Sequence, residues 1–318
     1  MAVYTHVSAE ALGTFLARYD AGDLISAKGI AEGVENSNYL VDTTTGRFIL
    51  TLYEKRVETG DLPFFFAMLD HLEARGSPVP PAIKDRDGVA IQHLEGRSAC
   101  LIKFLPGVSL SNPTATQALS AGKAMGAMHV GLADFAMARA NTLGIDDWRP
   151  LLDQCGRAMD EIRTGLFDRI STALDTIEAH WPRALPVATI HADLFPDNVL
   201  MLGDRVTGLI DFYFACTDIR AYDLAVMHTA WAFDAGGLPL AADVGRGVIA
   251  GYDAAHGLSP EERAALPILA QGACIRFLLT RAWDWLNTPS DALVTRKDPL
   301  AYLRRLDTYI EQGDSIFA

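Results

Sequence analysis

The stretch from His191 to Phe212 constrains this chain more than any other. It reads His191-Ala192-Asp193-Leu194-Phe195-Pro196-Asp197-Asn198, runs through two short apolar segments, NVLML and VTGLI, and reaches Asp211-Phe212. Gly203-Asp204 between the apolar segments supplies turn chemistry, so the two segments read as a hairpin. A hairpin returns Asp211 to the side of Asn198, and carboxylates and an amide then meet at one strand-end turn. Phosphoryl transfer uses such a set: a carboxylate to orient or deprotonate a hydroxyl, and hard oxygen ligands for a divalent cation beside phosphates. An Asp followed five residues later by Asn also marks ordinary polar turns. The weight lies in the joint pattern, which Asp223-Leu224-Ala225 continues.

The rest of the chain is β-rich first and helix-rich second. In the first hundred residues we expect one helix, opened by Asp61 and carrying Phe64, Phe65, Met68, Leu69 and Leu72 on one face. LISAKGI is expected to lead into a polar turn over 31–37. NYLVDT and RFILTLYE then form a hairpin around 43–46, and Asp87-Gly88 signals another. A strand from Ser98 to Phe104 runs into Leu105-Pro106-Gly107, the natural boundary between an N-terminal part, 1–105, and a C-terminal part, 106–318. Beyond it, helices are expected from Asn112-Pro113 to about 130, through 147–182, and at 223–234, 239–256, 260–286 and 299–312, interrupted by the short β region around the hairpin.

HADLFPDN followed by LIDF resembles the HGDxxxxN and IDF signature of the family that holds aminoglycoside phosphotransferases, choline kinases and homoserine kinases. The resemblance implies an α+β, bilobal protein-kinase-like fold. A small antiparallel-sheet N-lobe would bind nucleotide, and a mainly helical C-lobe would carry the catalytic hairpin and substrate pocket. It makes Asp193 the catalytic carboxylate, with His191 grouped beside it to orient the loop. Asn198 and Asp211 become the ligands of Mg²⁺, with ATP as phosphoryl donor. Ala192 stands where many relatives have Gly, and Asp223 is expected to hold the loop by hydrogen bonds.

Position in the kinase-like order also turns the 29–39 segment into a phosphate loop, with Gly33, Asn36 and Ser37 nearest the triphosphate, although a plain hairpin loop would read the same. The backbone of Lys103, Phe104 and Leu105 would meet adenine. Thr51 stands where kinase-like folds carry a Lys, and Phe65 where its acidic partner belongs. Losing both is coherent, since one buried charge alone would be costly. The loss fits homoserine kinases better than aminoglycoside kinases, and leaves Lys55 and Arg56 as either phosphate contacts or solvated charges.

The resemblance therefore points to L-homoserine as the acceptor, in threonine biosynthesis. Aminoglycoside, choline or hydroxylysine are alternatives on the same fold, and a nucleotide-binding pseudokinase is an alternative of another class. Arg276, in the apolar helix GACIRFLLTRAWDWL, needs an anionic partner, either the substrate carboxylate or an internal acid. Arg281, offset to another side, is read as internally paired. Trp231, Trp283 and Trp285 are either core or a cage for a quaternary ammonium.

A net charge of −13 argues against nucleic-acid or anionic-membrane partners. ATP and a small molecule are the expected partners, and a homo-oligomer is compatible with the sequence. No uncharged apolar run reaches the roughly 18 residues of a membrane span. No signal-peptide pattern opens the chain. The four cysteines match no zinc or CxxC spacing and read as buried thiols in a reducing cytoplasm.

Overall fold

The computed structural model describes residues 4–30, 36–54, 59–288 and 296–318. The chain divides into two compact units, Met1–Pro106 and Gly107–Ala318.

The first unit is an antiparallel sheet with helices. Its elements are α1 (Ala9–Leu16), β1 (Leu24–Gly29), β2 (Asn36–Thr43), β3 (Arg47–Tyr53), α2 (Leu62–Ala74), β4 (Ala82–Ile83), β5 (Gln92–Leu94) and β6 (Arg97–Lys103). The sheet runs β1-β2-β3-β6-β4, with β5 also on β6. Residues 50 to 53 of β3 are all buried, as expected of a strand covered on both faces. Leu50 and Leu52 join the core built with Leu12, Phe15 and Leu16 of α1. The hairpin around 43–46 forms, pairing Asp42 with Arg47.

Several expectations are corrected here. Among its described residues the unit has two α-helices, because Ser8 caps an eight-residue α1 through the Ala11 amide. Asp61 occupies the N-cap position of α2 in helical conformation and makes no side-chain cap. The turn at Asp87-Gly88 exists, with Asp85 accepting from the amides of Asp87 and Val89. Its flanking strands β4 and β5, however, both pair with β6 and not with each other.

The second unit holds α3 (Ala115–Gly131), α4 (Ile145–Cys155), α5 (Leu166–His180), β7 (Val187–Ile190), β8 (Val199–Leu202), β9 (Arg205–Leu209), β10 (Cys216–Ile219), α6 (Arg220–Trp231), α7 (Ala242–Ala255), α8 (Pro260–Asn287) and α9 (Leu300–Gln312). The helical stretch expected over 147–182 splits into α4 and α5 at a 3-10 segment. The strand β10, which pairs with β7, was not anticipated. The long α8 packs against α6, α9, α4 and α5 and forms the spine of the unit. Its Gly272 leaves room for the Trp148 and Trp181 rings, which meet edge to face at 5.1 Å. Among the described residues, no helix is long and apolar enough to cross a membrane.

Candidate active site

The hairpin of β8 and β9 fixes the first relationship. Val199 pairs with Leu209, and the Ile210 amide donates to the Asn198 carbonyl at 3.0 Å, so Asn198 and Asp211 lie at the same end of the hairpin. Asp211 adopts the left-handed conformation, φ 64°, which Asp tolerates better than most residues. Ala192 is also left-handed, φ 61°, a conformation that Gly would adopt without steric cost.

The 191–198 turn is held from beneath by α6. The fully buried Asp223 accepts from the amides of His191 (2.8 Å) and Ala192 (2.7 Å). His129 Nε2 reaches the same carboxylate at 2.9 Å, and His129 Nδ1 meets the Tyr252 hydroxyl at 2.9 Å. Burial favours the protonated form of Asp223. The hydrogen bond and charge of His129, with the bonds to the loop, outweigh it and hold the pKa below the ordinary carboxylate value. The loop amides are thus met by an anion. Trp231 Nε1 adds a bond to the Leu194 carbonyl at 2.9 Å, and this side chain is wholly buried, so it is core and not part of an exposed cage.

His191 is an orienting group. It has no exposed surface, its Nδ1 accepts from the Asp193 amide at 3.3 Å, and its Nε2 donates to the Ile210 carbonyl at 3.0 Å. Burial pushes its pKa down, so the ring stays neutral. Both nitrogens are committed to backbone, which suits the loop-orienting part given to His191 beside Asp193 and leaves neither for proton transfer.

Asp193 is half-buried at the turn. Asn198 Nδ2 donates to its carbonyl at 2.8 Å and to its Oδ2 at 3.2 Å. Burial pushes the Asp193 carboxyl up to about 8; Arg276 opposes the rise, while Asp211 and Asp197 add to it. Turning its nitrogen to Asp193 makes Oδ1 the end of Asn198 that a hard cation would take. Among the described residues, no three His, Cys, Asp or Glu side chains gather into a cation cage. One amide oxygen and one carboxylate nonetheless fit Mg²⁺, which keeps waters and phosphate oxygens as its other ligands.

Among the described residues, no internal acid pairs with Arg276, and its Nε is buried without a partner. It is 2% exposed, its Nη1 donates to the Ala192 carbonyl, and its guanidinium lies against the rings of Phe277 (4.6 Å) and Phe214 (5.4 Å). It clamps the backbone of the turn. Among the described residues, no internal carboxylate pairs with Arg281 either; its Nη1 donates to the Asp298 carbonyl at 3.2 Å. Trp283 and Trp285 are each 36% exposed.

The residues assigned to nucleotide all belong to the first unit. Gly33, with Lys55 and Arg56, lies outside the described residues. Asn36 and Ser37 stand at the start of β2 and not in the turn, and both are buried. Ser37 Oγ accepts from the amides of Tyr4 (2.8 Å) and Thr5 (3.0 Å) and donates to Glu54 at 2.8 Å. Its hydroxyl is spent tethering the N-terminal segment, so a phosphate contact by Ser37 is corrected to a structural role. Asn36 Oδ1 accepts from the Glu54 amide at 3.4 Å. Thr51 donates to Asn38 Oδ1 on the neighbouring strand β2 at 2.7 Å. Lys103 pairs with Glu73 at 2.7 Å and its amide donates to the Pro81 carbonyl at 3.1 Å. The Phe104 ring packs under Arg47.

Sequence reasoning missed His129, Tyr252 and Trp231 as loop supports. His129 and Trp231 each sit in the last turn of an otherwise ordinary helix, and no local motif marks them.

The chain is similar to known proteins over most of its length. The model of the phosphotransferase enzyme family (APH) matches residues 26–258. A homoserine kinase of Zymomonas mobilis is 52% identical over 313 residues, 98% of each chain. A homoserine kinase of Methylorubrum populi is 52% identical over 315 residues, 99% of this chain and 98% of the relative. Among solved structures, amicoumacin kinase hAmiN in complex with AMP-PNP, Ca²⁺ and Ami shares the fold. Its TM-score is 0.70 at 13% identity, covering 98% of this chain and 96% of that one.

Proposed function

The chain belongs to the phosphotransferase enzyme family, and from that premise we propose that it moves the γ-phosphoryl group of ATP to the side-chain hydroxyl of L-homoserine. Identity of 52% over nearly the whole chain to homoserine kinases supports the acceptor. The observation that carries the chemistry is the bond from Asn198 Nδ2 to Asp193, at the hairpin end that also bears Asp211.

Asp193 receives the acceptor hydroxyl. Its carboxyl, pushed up to about 8, has a proton affinity near that of the medium, which suits a group that takes the hydroxyl proton as the new P–O bond forms. Asn198 holds Oδ2 and leaves Oδ1 of Asp193 for that hydroxyl. His191, Asp223 and Arg276 fix the backbone on either side, so the carboxylate is oriented before substrate arrives. Asn198 and Asp211 would hold Mg²⁺, which would supply charge neutralisation at the phosphates. The backbone of Phe104 and Leu105, with Asn36, is the proposed nucleotide contact. The four cysteines are free and buried, which suits a reducing cytoplasm.

A coupled assay with MgATP over homoserine, hydroxylysine, choline and an aminoglycoside tests the acceptor. Homoserine is expected to give the highest kcat/KM, and another leader displaces it. Asp193→Asn is expected to lower kcat by about 10²–10⁴-fold while nucleotide still binds by thermal shift. Near-normal turnover in that variant removes Asp193 from the role.

A further inference from the structure

Arg281 is a cation that this mechanism leaves unused. It lies four residues beyond Phe277 on α8, so the two side chains share a helix face. Phe277 packs on Phe195 of the catalytic turn, centroids 4.9 Å apart, and stacks on Tyr302 of α9 at 5.0 Å. The Arg281 guanidinium covers the same Tyr302 ring at 4.5 Å. An aromatic path therefore joins Arg281 to the turn that carries Asp193, and the charge of Asp193 is felt at Arg281.

Among the described residues, no carboxylate pairs with Arg281. Its one hydrogen bond goes to the Asp298 carbonyl. Burial lowers its pKa, against the opposing charges of Asp298 and Asp193. Neighbouring arginines are engaged elsewhere. Arg276 holds the Ala192 carbonyl, Arg304 pairs with Asp298 at 2.8 Å, and Arg305 donates to the Asp234 carbonyl at 2.7 Å. A guanidinium fixed by its face on an aromatic ring keeps its edge donors in a plane, the geometry that takes a carboxylate through two parallel bonds.

Resting on the homoserine kinase reading, we infer that Arg281 binds the α-carboxylate of the acceptor and so restricts the enzyme to amino acids over amino alcohols. The test compares kcat/KM for L-homoserine and 3-amino-1-propanol, which keeps the hydroxyl and ammonium and lacks the carboxylate. The unsubstituted enzyme is expected to prefer homoserine by about 100-fold or more. In Arg281→Met that ratio falls to within a few-fold of one, chiefly through the KM for homoserine. Arg276→Met instead lowers kcat with both acceptors. If Arg281→Met does not melt cooperatively, Arg281→Lys decides: a ratio reduced at least about tenfold supports the assignment, and an unchanged ratio overturns it. A preference retained in Arg281→Met, or lost in Lys297→Met in its place, overturns it as well. Failure of the unsubstituted enzyme to phosphorylate homoserine overturns the functional reading itself, and is told apart by that control.

Discussion

At the residue scale, Asp193 carries a cost to the folded chain. Its carboxyl has an ordinary pKa of 3.8 and is pushed up to about 8 by burial and by the neighbouring acids. Between those values the folded chain binds more protons than the unfolded one, so stability falls as pH rises through this window, and the loss is complete above it. Asp193→Asn removes the titration. In ligand-free, metal-free protein the variant is expected to gain more in Tm at pH 9 than at pH 6, and an equal gain at both shows that the carboxyl does not titrate in the folded state. Stability and activity then move in opposite directions, as at many active sites. Asp223 has the opposite sign. Its folded pKa is depressed, so its contribution is present above the unfolded value and is lost as pH falls. His129→Gln removes the ring that holds it. That variant is expected to lower kcat about tenfold or more by loosening the turn, with the KM for ATP little changed. A kcat within twofold of normal would mean that Asp223 holds the loop without help.

At the element scale, the support of the turn depends on how closely α3 and α7 approach. Gly122 and Gly126 on one helix face Gly247 and Gly251 on the other. A Cβ at Gly251 would collide with the Leu119 carbonyl, and one at Gly122 with that of Val248. This contact seats His129, near the end of α3, against Tyr252 of α7. Gly251→Ala forces backbone against backbone, and overpacking of that kind costs about 1–3 kcal/mol or more. The expected result is a lower denaturant midpoint with an unchanged slope, accompanied by reduced kcat; an unchanged midpoint means that the helices separate freely. The catalytic hairpin was legible in the sequence because its signals are local: two apolar runs, a Gly-Asp turn, and polar residues at fixed offsets. The glycines of α3 and α7 also stand four apart in the sequence. Only the fold says that the two pairs face each other, and so that His129 comes to rest under a turn more than 60 residues away. Arg276 misled for the same reason. Burial of an Arg calls for an acceptor, and sequence reasoning looked for a carboxylate where the fold supplied the Ala192 carbonyl.

At the scale of the whole molecule, the turn from β-rich to helix-rich sequence announced two parts, and net charge announced little, because the site works through single cations set among many acids. The side chains of the catalytic turn and those that support it, from His129 to Tyr302, belong to Gly107–Ala318. The proposed adenine and phosphate contacts belong to Met1–Pro106. The second unit buries Trp148, Tyr222, Trp231, Tyr252, Leu266, Leu278 and Tyr309 completely, a core large enough for a domain of its length. Residues 107–318 expressed alone are therefore expected to show helical circular dichroism and one cooperative thermal transition, with no kinase turnover. Loss of the cooperative transition would mean that the helical core needs the sheet-bearing unit in order to fold. Retained turnover would mean that nucleotide is held without residues 1–106, and the assignment of Asn36, Phe104 and Leu105 would fall with it.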